Sequence, residues 1–142
     1  MKFVSLVGIN GHAQNILFAG GFIRDETTDS FKWLFKNFMI CMGGKAPKTI
    51  IAGQDAAMKT TVKEEFPESV HRNCLFHVLQ NAELKCGQTF ANKDPQLALN
   101  FYDIIYNSLN EREFKDMWQW MMTTYNVGHI HYFKHMFATR RQ

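Results

Sequence analysis

Residues 3–23 read FVSLVGINGHAQNILFAGGFI. Two apolar, β-prone runs, 3–9 and 15–23, flank a polar stretch that opens on Asn10-Gly11. That dipeptide favours a reversal, because both residues accept left-handed backbone at low cost. The spacing predicts a β-hairpin. The paired Gly20-Gly21 predicts a bulge in its second strand.

The pattern then changes period. Asp25, Thr27 and Thr28 are helix-start residues. Phe31, Leu34, Phe35 and Phe38 follow at i, i+3, i+4, i+7, which predicts a helix over 28–41. Gly43-Gly44 ends it. After Pro47, the run TIIA predicts a short strand over 48–52. Gly53-Gln54-Asp55 turns the chain into a helix over 55–65, which Pro67 stops. Residues 70–74 predict a fourth strand, and the chain turns helical from about residue 78. Helices are expected over 96–109, with Pro95 at the first turn, and over 111–125, with Phe114, Met117, Trp118 and Met121 on one face. Residues 129–139 start a last helix, expected to be cut off by the chain end. The order β-β-α-β-α-β, then helices, predicts an α/β fold: one mixed sheet with helices packed against it.

Composition narrows the class. The 142 residues fit one domain, and 46% hydrophobic with 20% charged residues excludes bulk disorder. A net charge of +3, evenly interspersed, excludes a polybasic or acidic tail. The 13 Phe and 8 Met predict a Phe-rich core. Three cysteines are too few, and odd in number, for a secreted disulfide scaffold, so a reducing compartment is expected. No apolar run approaches the roughly 18–20 residues of a membrane span. MKFVSLVGINGHAQ breaks at Gly8 and carries no cleavage-like tail, so no signal peptide is read there. There is no internal repeat.

Five ordered stretches carry a resemblance. They are VGINGHAQ (Val7 to Gln14), DETTDSFKWLF (Asp25 to Phe35), MGGKAPKTII (Met42 to Ile51), QDAAM (Gln54 to Met58) and EFPESVHRNCLFHVLQN (Glu65 to Asn81). EFKDMWQWMMTTYNV (Glu113 to Val127) adds a helical segment. The chain resembles the transposase core of the plant far-red impaired response family, domesticated relatives of Mutator-like transposases. The resemblance implies an RNase H-like core of the DDE-transposase type, lacking its first strand, over 1–90. A helical extension of the same domain would follow over 91–142.

In an active relative, an acidic triad would hold two divalent metal ions, which stabilise the attacking and leaving oxygens of phosphodiester cleavage and strand transfer. This sequence departs from that pattern. The first acid would lie on the strand before residue 1. The second belongs to a strand-end pattern like TDQD, where this chain reads Ala52-Gly53-Gln54-Asp55, so Gly53 replaces a carboxylate. Glu111 and Glu113 are the available third acids. Asp55 remains as a vestigial acid at most; its other reading is a helix N-cap. No catalytic residue is assigned.

Cys74-Leu75-Phe76-His77 matches the family's C-x-x-H motif. Cys74 and His77 are read either as two metal ligands, for which zinc would be the ion, or as a packed clasp between the last strand and the helices. Zinc takes four ligands. His71 and Cys86 are within sequence reach, but at a spacing that fits no standard module. His129, His131 and His135 lack an accompanying acid and read as surface or interface residues. Arg24, Asp25, Glu26 and Asp29 read as helix-capping and dipole-complementing groups. Trp118 falls on an apolar face; Trp33 and Trp120 are the alternatives for base stacking, with Trp120 the better exposed contact. Arg72, Lys134, Arg140 and Arg141 could touch phosphate but do not cluster in sequence.

The resemblance implies a transposase-derived regulator of transcription in the plant nucleus, catalytically inactive and a fragment of a larger factor. DNA would be contacted through family zinc modules outside these residues. Homo- or heterodimers with related proteins are the expected partners, and no membrane, small-molecule substrate or cofactor is expected for this chain. The alternatives are a working Mutator-like transposase and a truncated gene product without an independent role.

Overall fold

The computed structural model describes residues 1–141, in two compact units: Met1–His77, and the chain from Val78 onward. The first unit opens on strands β1 (Lys2–Ile9) and β2 (Asn15–Ile23), which pair antiparallel. Asn10 builds the reversal. Its side-chain oxygen accepts from the backbone N–H of His12 (2.9 Å) and of Gln14 (3.0 Å), and Ala13 takes the left-handed conformation at φ 59°. A short polar side chain can satisfy its own loop in this way.

The expected bulge is displaced. The ladder runs Leu6↔Ala19 and then Val7↔Leu17, so Phe18 is the extra residue rather than a glycine. Gly20 and Gly21 answer to packing instead. A Cβ on Gly20 would stand 2.8 Å from the Phe3 ring, and one on Gly21 would stand 2.6 Å from Leu34 Cδ1. The missing side chains are what let the strand lie against these neighbours.

Helix α1 (Thr28–Cys41) is capped by Thr27, whose hydroxyl accepts from the Ser30 N–H at 3.4 Å. It buries Phe31, Leu34 and Phe35. It stops at Gly43 and Gly44, both left-handed, with the Gly44 N–H donating to the Met39 carbonyl at 2.9 Å. Strand β3 (Thr49–Ala52), helix α2 (Ala56–Glu65) and strand β4 (Val70–Asn73) complete the unit, apart from the first residues of the next helix. Ile23, Phe31, Leu34, Phe35, Val62 and Phe66 form its core.

The four strands form where expected, but not as one mixed sheet. β1 and β2 make one two-stranded antiparallel sheet; β3 and β4 make a second, parallel one. Among the described residues no strand pairs with the remaining edge of β1 or of β3, so nothing joins the two ladders.

Four helices follow: α3 (Leu75–Asn92), α4 (Pro95–Asn107), α5 (Glu111–Thr124) and α6 (His131–Ala138). α3 begins three residues before the expected start, directly after Cys74. α4 starts with Pro95 in its first turn under an Asp94 cap. α6 ends inside the chain, with the Thr139 N–H donating to the His135 carbonyl, rather than being cut off. The second core is aromatic. Phe101 is fully buried, with its ring centroid 5.3 Å from Phe90, 5.8 Å from Phe133 and 6.1 Å from Trp118. The Tyr132 hydroxyl donates to the Val78 carbonyl at 3.0 Å, satisfying a polar tip beside this core. Among the described residues no helix is long and apolar enough to cross a membrane.

Truncating the ring at the centre of this cluster tests it. Phe101→Ala should lose about 3–5 kcal/mol of unfolding free energy in denaturant titration, since the cavity cannot collapse among rigid neighbours.

Candidate functional site

In a parallel pair, both strands end on the same side, and the loops leaving those ends form the usual site of an open α/β sheet. Here β3 and β4 pair from Thr49↔Val70 to Ala52↔Asn73. The Cys74 N–H then donates to the Ala52 carbonyl at 2.7 Å, carrying the ladder one step further. Gly53-Gln54-Asp55 and Cys74-Leu75 therefore leave side by side. A Cβ on Gly53 would lie 3.6–3.9 Å from ring atoms of His77. Residues 24 apart in sequence thus meet at one point, which sequence spacing alone does not reveal.

The acids are engaged elsewhere. The Asp55 carboxylate accepts from the Met58 N–H at 2.8 Å and caps α2. Glu113 belongs to a capping box at the start of α5: its carboxylate accepts from the Leu109 N–H at 2.8 Å, while its own N–H donates to the Asn110 side chain at 3.0 Å. Glu111 sits among cations. Lys115 Nζ is 2.9 Å away, Arg141 donates through Nε at 3.1 Å and Nη2 at 2.8 Å, and Arg140 stands at 3.4 Å. The hydrogen bond from Lys115, then that from Arg141, holds the Glu111 carboxyl down at about 2. Asp25 accepts from the hydroxyls of Thr27 and Ser30, both at 2.6 Å, and the Ser30 bond is the chief cause of its lowered pKa.

His71 on β4 has a buried Nε2 with no hydrogen-bond partner. Burial is the main cause of its lowered pKa, helped by the charges of Lys59 and Arg72. Cys74 is half-buried and His77 exposed, with the His77 ring edge-on to Phe76 at 5.4 Å. Burial raises the thiol pKa of Cys86 in the second core. Among the described residues no group of three or more His, Cys, Asp or Glu side chains could hold a metal ion. Cys74 and His77 are half a zinc set, and Gly53 has no side-chain oxygen to offer a divalent cation.

The remaining sequence candidates divide. Trp118 is buried, whereas Trp33 and Trp120 are 57% and 50% exposed. His129, His131 and His135 all face solvent. Arg140 donates to the Phe137 carbonyl at 2.7 Å and lies over the Phe137 ring, so with Arg141 on Glu111 both arginines are already engaged. The Asn110-x-x-Glu113 box was readable from spacing; the Glu111 ion cluster, closed by residues 29 and 30 positions away, was not.

The MULE transposase domain matches residues 1–81, more than half of the chain. The chain belongs to that family. Its relatives include three proteins of Arabidopsis thaliana. FAR-RED IMPAIRED RESPONSE 1 is 31% identical over 124 residues, covering 85% of this chain and 14% of the relative. FAR1-RELATED SEQUENCE 5 is 28% identical over 142 residues, 100% of this chain and 18% of the relative. FAR1-RELATED SEQUENCE 4 is 27% identical over 141 residues, 99% of this chain and 19% of the relative. The chain thus spans less than a fifth of the length of these relatives, and the far-red impaired response resemblance stands. No solved structure matches it.

Two measurements check these assignments. Asp55→Ala should cost about 1 kcal/mol through the lost cap. For Glu111, the folded pKa of about 2 lies below the ordinary 4.5. Its stabilising contribution is therefore present above pH 4.5 and lost as pH falls towards 2. The stability difference between the native chain and Glu111→Gln should shrink over that interval, and a Glu111 carboxyl titrating near 4.5 by NMR would contradict it.

Proposed function

We propose that this chain is the core segment of a transposase-derived regulator of transcription, acting in the plant nucleus, and that it does not cleave or join DNA. The observation that carries this reading is the end of β3. Two-metal phosphoryl transfer needs carboxylates that bridge and anchor both ions. At the strand end stands Gly53, and the next acid, Asp55, is engaged with the Met58 N–H. Glu111 and Glu113 are committed to an ion cluster and a capping box. The family match and the names of the relatives support the transposase-derived origin.

In this reading the fold is RNase H-like and serves as a scaffold. DNA is contacted by modules outside these residues, and the exposed Trp33 and Trp120 suit protein contacts, including dimers with related chains. Cys74 and His77 act in local packing at the start of α3 rather than as a zinc site, since they bring only two donors.

The test is a nicking and strand-transfer assay with Mg²⁺ or Mn²⁺ on DNA carrying candidate terminal repeats. Neither the native chain nor Gly53→Asp should cleave. The variant is a fair control because its Cβ meets His77 at ordinary van der Waals distance. Metal-dependent cleavage by the native chain, abolished by Asp55→Ala, would restore the transposase.

A further inference from the structure

α6 opens on His131, and His135 stands one turn later; both are exposed. Residues four apart on a helix share a face, with Cβ atoms about 5–6 Å apart. Their Cα–Cβ bonds tilt towards the helix N-terminus, so the later ring leans over the turn that carries the earlier one. The turn that sets this spacing is closed by backbone bonds. The Lys134 N–H donates to the Ile130 carbonyl at 3.3 Å, and the Thr139 N–H donates to the His135 carbonyl at 3.0 Å. Tyr132, Phe133 and Met136 are buried and anchor the helix from its other side.

The surroundings select what the pair can bind. No Asp or Glu follows Asp116 in the sequence. Lys134 adjoins His135 in the chain, and Lys85 of α3 stands 5.0 Å from the centre of the Tyr132 ring, which is 6.4 Å from that of His135. A hard cation such as Mg²⁺ takes oxygen donors, finds no carboxylate on this segment and is repelled by the two ammonium groups. A late first-row ion gains from nitrogen bonds instead, because imidazole suits zinc, copper and nickel. A structural zinc site takes four protein ligands, and this helix supplies two. Two suffice for an exchangeable ion when both are exposed and water fills the other positions. Cys74 and His77 differ on this point, since Cys74 is half-buried and precedes its helix.

We propose that the exposed face of α6 is a chelating site for an exchangeable late first-row divalent ion, held by His131 and His135. Its remaining coordination positions stay open to water or to a nitrogen or carboxylate donor from outside the chain. The proposal does not rest on the regulator reading, and its failure would leave the outcome of the DNA-cleavage assay untouched.

The experiment titrates the tag-free native chain, stripped with chelator, with Zn²⁺, Ni²⁺ and Mg²⁺ by calorimetry. The imidazole signals are followed by NMR in parallel. Zn²⁺ and Ni²⁺ should bind at one ion per chain and move the signals of His131 and His135; Mg²⁺ should not bind. His131→Gln and His135→Gln should each weaken binding roughly tenfold or more. His129→Gln and Cys74→Ala should leave it unchanged. Both altered residues of the pair are exposed, so unchanged thermal unfolding without metal shows that these variants fold. Binding that survives both variants, binding lost with Cys74→Ala, equal affinity for Mg²⁺, or no saturable binding of Zn²⁺ or Ni²⁺ would each overturn the proposal.

Discussion

The parallel pairing of β3 with β4 is the constraint on which the site depends. Two short strands, TIIA and VHRN, are held in register over four residue pairs, and the Cys74 N–H extends the ladder onto the Ala52 carbonyl. The ladder thus runs up to the start of α3, where His77 lies against position 53. Remove the register and position 53 no longer meets His77. The pairing also explains why the acid at 55 cannot stand in for one at 53. The first is already turning into a helix, whereas the second is the last position before the turn.

Electrostatics follow the same logic of local commitment. Of the carboxylates that a catalytic reading would recruit, Asp55, Glu111 and Glu113 each have a specific partner close in space. None of these arrangements is costly, because helix starts supply free N–H groups and the surface supplies lysine and arginine. His71 on β4 feels the charges of Lys59 and Arg72.

Much of the fold was legible because its signals are local. Asn10-Gly11 between two β-prone runs gives the hairpin, the 31/34/35/38 spacing gives α1, and Gly43-Gly44 gives its end. Asp55 as a cap and Trp118 as core were equally readable, since both depend on a few neighbouring positions. What the sequence hid was non-local. The bulge at Phe18 depends on which rings must clear which glycines across the hairpin. The separation into two sheets depends on which strand edges pair, and no periodicity reports that. The meeting of Gly53 with His77 requires the register of two strands joined through a helix. For the same reason, the engagement of Glu111 by Arg140 and Arg141 could not be read from a stretch where only the acids stood close together.

The connection between β3 and β4 also has a kinetic side. A hairpin can zip outward from its turn, and the Asn10 loop places Ile9 and Asn15 opposite each other after only a short excursion. Parallel strands have no such route. Thr49 meets Val70 only after the whole of α2 has spanned the gap, and loop closure over that separation precedes any gain from the ladder. The strand ends are therefore among the last parts of the first unit to acquire their neighbours. On a growing chain they stay unmade until the residues of β4 have left the ribosome.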